Sequence, residues 1–325
     1  MNAQTPSSEP GAAFGAPRTL PSLFRAADAA SARGQRHYLT LTWTALGVLV
    51  FAAAVGPLLE GIGEGGSKVP AILAAIALFF ATALRAYALA TRPERTWYEG
   101  RALAESTKTV AWRFAVAAAP FPADIDSSRE RFVQRLREIL SGFEDVPLES
   151  DDLGSQITPE MEALRAASLD ERKRAYKTSR VQDQRQWYSS RAEHHLKSYH
   201  RFALLTLGLE LAGGSLAVLK AAGAIDFDLV SLAAAAASAL IAWENANQHS
   251  TLAKAYNIAA QELGSIYDIV ESQRDEQAWS SFVDQAEEAI SREHTTWRAS
   301  RTGSPLRAPG DGLLAGEQEH YRDAD

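Results

Sequence analysis

The sequence predicts an all-α membrane protein: two transmembrane helical hairpins, four spans in all, with long cytoplasmic helices forming a helical bundle. Three observations predict it. Strongly apolar runs fall in two close pairs, 39–59 with 69–90 and 202–225 with 229–243. A long, mostly polar stretch separates the pairs. Outside the runs, apolar residues recur at helical spacing, punctuated by proline, glycine and capping residues.

Whole-chain values conceal this pattern. A hydrophobic content of 46% and a mean hydropathy of −0.18 average very apolar windows with very polar helices. The net charge of −7 and the lack of a dense basic face argue against a nucleic-acid partner. With no cysteine among 325 residues, disulfides, thiolate metal sites and cysteine nucleophiles are excluded.

Residues 1–22 are rich in Pro, Ala and Ser and lack the apolar core of a signal peptide, so they are expected to be a disordered tail. The first span, 39–59, carries Leu46, Val48, Leu49, Val50, Phe51 and Val55, with Trp43 at interfacial depth. The second, 69–90, has an uncharged centre dense in Ile, Leu and Phe. About 20 such residues cross roughly 30 Å of hydrocarbon. A helix follows over 91–118 with a stripe of Trp97, Ala104, Trp112 and Val116, ended by Pro120 and Pro122.

Ser127 with Glu130 reads as a capping box ahead of Phe132, Val133, Leu136 and Leu140, and Gly142 stops that helix. An acidic linker covers 146–157. Thr158-Pro159 starts another helix, and Ser168 with Glu171 restarts one. No breaker then occurs before Gly208, so one helix is expected to run from about Leu169 into the third span, 202–225. The fourth span, 229–243, is short and Ala-rich. Its helix is expected to continue unbroken to Glu271 on a stripe of Leu252, Ala255, Tyr256, Ala259, Leu263, Ile266 and Ile269. A last helix, 276–300, carries Trp279, Phe282, Val283, Ala286, Ile290 and Trp297. The tail 302–325 is expected to be disordered.

Charge sets the orientation. The loops inside the hairpins carry Glu60, Glu64 and Lys68, and Asp226 and Asp228. Arginines and lysines flank the opposite ends: Arg25, Arg33, Arg36, Arg85, Arg92, Arg95, Arg101, Arg191, Lys197 and Arg201. The positive-inside rule places both termini and the long middle in the cytoplasm of a multi-pass protein.

Two short strings echo each other. Trp97-Tyr98-Glu99-Gly100-Arg101-Ala102 follows the second span, and Trp187-Tyr188-Ser189-Ser190-Arg191-Ala192 precedes the third. Trp and Arg four apart share a helix face, so each guanidinium can lie over its indole. The candidate helix-packing residues are therefore Trp97, Tyr98, Arg101, Trp187, Tyr188 and Arg191. The copies fall on opposite sides of their hairpins, so the echo is not a clean tandem repeat.

No catalytic constellation is present: no Walker loop, dinucleotide fingerprint, H-E-x-x-H or G-x-S-x-G occurs. Adjacent His194 and His195 point about 100° apart on a helix and do not chelate one metal together. No catalytic residue, metal or cofactor is expected. Glu210 stands out, because an ionisable group inside a span is costly and faces a bundle interior or water. Two readings fit: a neutral glutamate packed against Gly213 and Gly214, or a pore-lining carboxylate repeated around an oligomer. Glu244 and Asn245 are candidates for the same pathway.

Residues 95–108 with Trp112-Arg113, then Trp187-Tyr188 with Arg191-Ala192, and the ending 288–297 resemble the two halves of bacterial SLATT proteins, the SMODS- and SLOG-associating two-transmembrane effector domains. The resemblance covers 23–145 and 158–301 as two fused units. It implies a bacterial inner-membrane effector of conflict and antiviral defence. Such an effector would be a homo-oligomer that breaches the membrane when a nucleotide second messenger or a separate sensor protein signals to it. The rival expectation is a non-conducting membrane scaffold whose cytoplasmic bundle recruits a partner protein.

Overall fold

The computed structural model describes residues 14–59, 68–121, 125–149, 154–225 and 228–302, and only the backbone at 58 and 292–302. Residues 1–13 and 303–325 of the expected tails, 150–153 of the expected linker, most of the intra-hairpin loops and Trp297's side chain lie outside the described residues, whereas Thr302 ends a helix.

The described residues form ten α-helices: α1 (Ser22–Leu59), α2 (Val69–Thr91), α3 (Pro93–Ala115), α4 (Ile125–Ser141), α5 (Pro159–Ala166), α6 (Leu169–Tyr176), α7 (Asp183–Ala221), α8 (Leu229–Asn247), α9 (His249–Ile269) and α10 (Glu276–Thr302). Among the described residues there is no strand. Among the described residues, four helical stretches are long and apolar enough to cross a membrane: Ser22–Pro57, Val69–Ala115, Leu169–Ala221 and Leu229–Ser272. The fold is therefore all-α, with four candidate spans in a helical bundle.

The expected run from Leu169 into the third span is present, with one local change. Residues Lys177–Gln182, between α6 and α7, form a π-helical stretch inside an otherwise continuous helix. The local stop and start signals mostly hold. Thr158 caps α5, accepting from Met161 N–H, with Pro159 in the first turn. Ser168 and Glu171 form a complete capping box at α6. The Ser127–Glu130 pattern does not mark a helix start, because α4 already begins at Ile125.

The unbroken helix expected from the fourth span to Glu271 is also corrected. Gln248 adopts a left-handed conformation (φ 51°), closes α8 with its N–H on Glu244 O, and starts α9. Arg92 (φ 44°) does the same between α2 and α3, where the following Pro93 disfavours a right-handed helix at that residue. Gln248 has no such proline. Its conformation, unfavourable by about 1–2 kcal/mol for a residue with a Cβ, is held by the packing of His249 and by Ser250 N–H donating to Glu244.

These breaks expose a repeat. A 38-residue α1, then α2, a left-handed break and α3 correspond to a 39-residue α7, then α8, a left-handed break and α9. Within each unit the long helix packs on both of its followers, and α1 also packs on α8, so the apolar helices pack in the order α2–α1–α8–α7. Trp43 and Trp243 meet edge-on at 5.3 Å where the two units touch. Along the spans little is buried within the chain: Val55, Ala77, Ala81, Gly213, Ala233 and Ala237.

The core lies outside the spans, around Trp112, Phe114, Phe121, Phe132, Tyr176 and Trp279, and joins α3, α4, α6 and α10. Residues 14–22 belong to it rather than to a disordered tail: Phe14 packs on Trp112 at 4.6 Å and Leu20 is buried. The linker 146–157 is likewise anchored at both ends. Val146 is buried, and Arg33 pairs with Glu149 at 3.1 Å. Ser155 O and Gln156 Oε1 accept the first N–H groups of α1, from Ser22 and Leu23. Thr158 both caps α5 and donates to Thr19 O at 2.8 Å. Thr158→Ala is expected to cost about 1 kcal/mol for the lost cap, read as a lower thermal midpoint of detergent-solubilised protein.

Candidate functional site

Two places bring chemistry-bearing side chains together: a buried polar seam in the helical body, and the juxtamembrane ends of the second hairpin.

The seam starts where the two W-Y-x-x-R-A strings meet. Trp187 on α7 is flanked by two guanidiniums, Arg191 of its own string at 5.6 Å and Arg101 of the other at 5.3 Å. Arg191 thus lies over its own indole, as helical spacing expects, whereas Arg101 reaches across to the other unit. Trp97 instead stacks on Tyr98 at 4.8 Å and faces Tyr38 of α1 at 6.0 Å. Trp187 contacts Tyr188 at 5.1 Å and Tyr256 of α9 at 5.5 Å. Both strings therefore sit at crossings between the long helix of a unit and its last helix, but on opposite partners.

Arg101 also pairs with Glu105 at 3.0 Å. One turn further, Lys108 donates to Gln184 at 3.2 Å, and burial lowers its pKa. At the centre, Arg180 and Glu287 form an ion pair with both side chains fully enclosed. Arg180 Nε donates to Oε1 at 2.8 Å and Nη2 to Oε2 at 2.6 Å. Thr109 and Tyr176 hydroxyls donate to the same carboxylate, each at 3.0 Å. Burial disfavours the charged guanidinium, but Glu287 outweighs it and holds Arg180's pKa above its ordinary value. Burial first, then Glu287, pushes the Tyr176 hydroxyl well up. The cluster locks α3 and α10 onto the π-helical stretch that holds Arg180. Nothing in the sequence marks it: Arg180 and Glu287 are 107 positions apart and each reads as one more charge on a polar face.

In the second hairpin, Glu210 is exposed at the flank of the α7 face that meets α8 and does not pack into the bundle. Gly213, one turn on, is the residue that meets Ala233 of α8; beside Gly214 there is open space. Glu244 stands at the α8/α9 break, accepting from Ser250 N–H at 3.4 Å, and Asn245 is exposed beside it. The antiparallel register set by Gly213 and Ala233 puts Glu244 level with Phe202. That is about 12 Å along the axis from Glu210, so the three candidates are not brought together. Beside Glu244, however, the structure joins His195 to His249, with Nδ1 atoms 2.8 Å apart. Among the described residues no group of three or more His, Asp or Glu is arranged to hold a metal.

Comparison with known families agrees with this two-unit architecture. Residues 21–173 match the SMODS and SLOG-associating 2TM effector domain 3. Residues 176–297 match the SMODS and SLOG-associating 2TM effector domain 1. The first match extends through α5 and most of α6; the second begins at Tyr176, beside the π-helical stretch. No curated protein and no solved structure matches the chain. Two hairpins, two left-handed breaks and two family matches in succession lead to one conclusion: the chain belongs to the SLATT family of two-transmembrane effector domains and carries two of them in tandem.

Proposed function

We propose that this protein is a pore-forming effector of a bacterial conflict system. It sits in the inner membrane with both termini in the cytoplasm, oligomerises, and permeabilises the bilayer on a cytoplasmic signal. The trigger is a nucleotide second messenger or a separate sensor protein acting on the helical body.

The observation that carries this reading is Glu210. It lies near the middle of a span, exposed on α7 at the flank of the face that meets α8. A charged side chain at that depth costs about 3 kcal/mol by insertion scales, and lipid offers no compensation. A second copy does. The neighbouring outward face of α7 exposes Leu204, Leu207, Leu211 and Val218, with open space beside Gly208 and Gly214. Their 3–4 spacing is that of a helix–helix seam, and small residues allow the close approach that association in lipid requires. Repeated around a ring, Glu210 lines a water-filled path that favours cations.

In planar bilayers the triggered full chain is expected to conduct cations over anions. Glu210→Gln reduces that preference and Glu210→Lys reverses it, read as the sign of the reversal potential in a salt gradient. Unchanged reversal potentials in both variants overturn the assignment of Glu210. Absence of any triggered conductance, with membrane potential intact in expressing cells, overturns the pore.

A further inference from the structure

Away from Glu210, two histidines meet across helices beside the membrane. His195 on α7 and His249, the first residue of α9, face each other with Nδ1 atoms 2.8 Å apart and ring centroids 5.1 Å apart. That separation sets both nitrogens on the line between the rings, so one Nδ1–H donates to the lone pair of the other. His249 is buried, and Phe202 stacks flat on it at 5.7 Å. Tyr256 closes edge-on over His195 at 5.6 Å. The contact ties the helix of the third span to α9 immediately after the strained Gln248, where the chain leaves the fourth span.

We propose that His195 and His249 form an acid-released fastening: neutral, they hold α9 to α7 beside the membrane; protonated, they let α9 swing away about the Gln248 break. The chemistry of the contact dictates the direction. With both rings protonated, two N–H donors point at one another, each carrying a positive charge. The neighbours favour release. From α7, Arg191, His194 and Arg201 add positive or protonatable groups; from α8, Glu244 is the acidic group facing the pair; from α9, Tyr256 is neutral.

Burial first, then His249, His194 and Arg191, pushes His195 down to about 4. Burial also lowers His249, against the pull of Glu244. A released histidine returns toward its ordinary pKa of about 6.5, so the released state binds more protons. The fastening is therefore at full strength above about pH 6.5 and weakens as the pH falls toward 4. The released-to-fastened ratio rises by up to about tenfold per pH unit for each histidine. The fastening holds or releases whether or not the protein conducts.

The absence of native cysteine permits clean labelling. Spin labels at Glu193→Cys on α7 and Lys254→Cys on α9, both exposed positions, report the helix separation of the full chain in nanodiscs. A single distance is expected at about pH 7.5, with a longer component growing roughly tenfold or more by about pH 5. His195→Asn keeps a hydrogen-bonding group near the Nδ1 position but cannot titrate, and His249→Asn does the same from the other side. Each variant is expected to lose at least half of the pH response on a logarithmic scale. A wild-type distance that does not change with pH overturns the proposal. So does a full response in both variants, which is also what general acid unfolding would produce.

Discussion

Glu287→Ala is expected to lower stability by about 3–5 kcal/mol, because it strands a buried guanidinium. Arg180 has no exposed side-chain surface, and the carboxylate is its ionic partner as well as the acceptor for Thr109 and Tyr176. Removing the carboxylate takes the acceptor from Arg180 Nε and Nη2 and from the Thr109 and Tyr176 hydroxyls, and leaves Arg180 Nη2 only the Thr109 oxygen to donate to. Arg180→Met is expected to be costly for the converse reason, an enclosed carboxylate without its counter-ion. The double variant Arg180→Met/Glu287→Leu removes both charges and is expected to recover most of the loss, since apolar groups of similar volume often replace a buried pair at little cost. Thermal unfolding in detergent, followed by tryptophan fluorescence, reads this directly, as Trp112 and Trp279 are fully buried beside the cluster. A loss below about 1 kcal/mol for Glu287→Ala, the ordinary value of a neutral hydrogen bond, means that the pair is not held as described.

Gly100→Leu is the second large effect. Where α1 crosses α3, a Cβ on Gly100 would stand 2.8 Å from Ser31 N and 3.1 Å from Ala27 O, and one on Gly34 would stand 2.6 Å from Trp97 N. These neighbours are backbone atoms of packed helices, which cannot turn aside as a flexible side chain can. Even Gly100→Ala is expected to be destabilising. Overpacking costs about 1–3 kcal/mol, against a gain of about 1 kcal/mol in helix propensity. Leucine would force the helices apart. Because α1 continues straight into the first span, the hairpin is expected to shift with it, visible as lost helix–helix crosslinking and a lower unfolding midpoint. Wild-type stability for Gly100→Leu would show that the crossing is looser than its backbone contacts indicate.

Much of this fold can be read from local signals. Thr158-Pro159, Ser168 with Glu171, Gly142 and the four apolar runs each act within one or two helical turns, and the helices begin, stop or run on where those signals stand. What escapes is long-range. Gln248 carries no breaker chemistry; its conformation depends on His249 meeting His195 and Phe202 on another helix. The repeat is hidden because its two W-Y-x-x-R-A strings occupy non-equivalent helices, α3 and α7. The echo marks similar crossings rather than corresponding residues. Residues 14–22 look like tail because their few apolar groups carry no periodicity, yet Phe14 and Leu20 fill the core. Glu210 stands out as a candidate from the cost of charge in lipid alone. The Arg180–Glu287 and His195–His249 contacts do not, since they join segments that only folding brings together.

The π-helical stretch at Lys177–Gln182 has one more consequence. An α-helix turns about 100° per residue, whereas a π turn accommodates an additional residue. The stretch therefore sets the rotational phase of α7 relative to α6. Upstream, that phase is pinned where Arg180 docks on Glu287; downstream, it decides which way Glu210 points. Converting the stretch to regular α-helix would turn the third span about its own axis like a key, redirecting its carboxylate while advancing the span slightly along that axis.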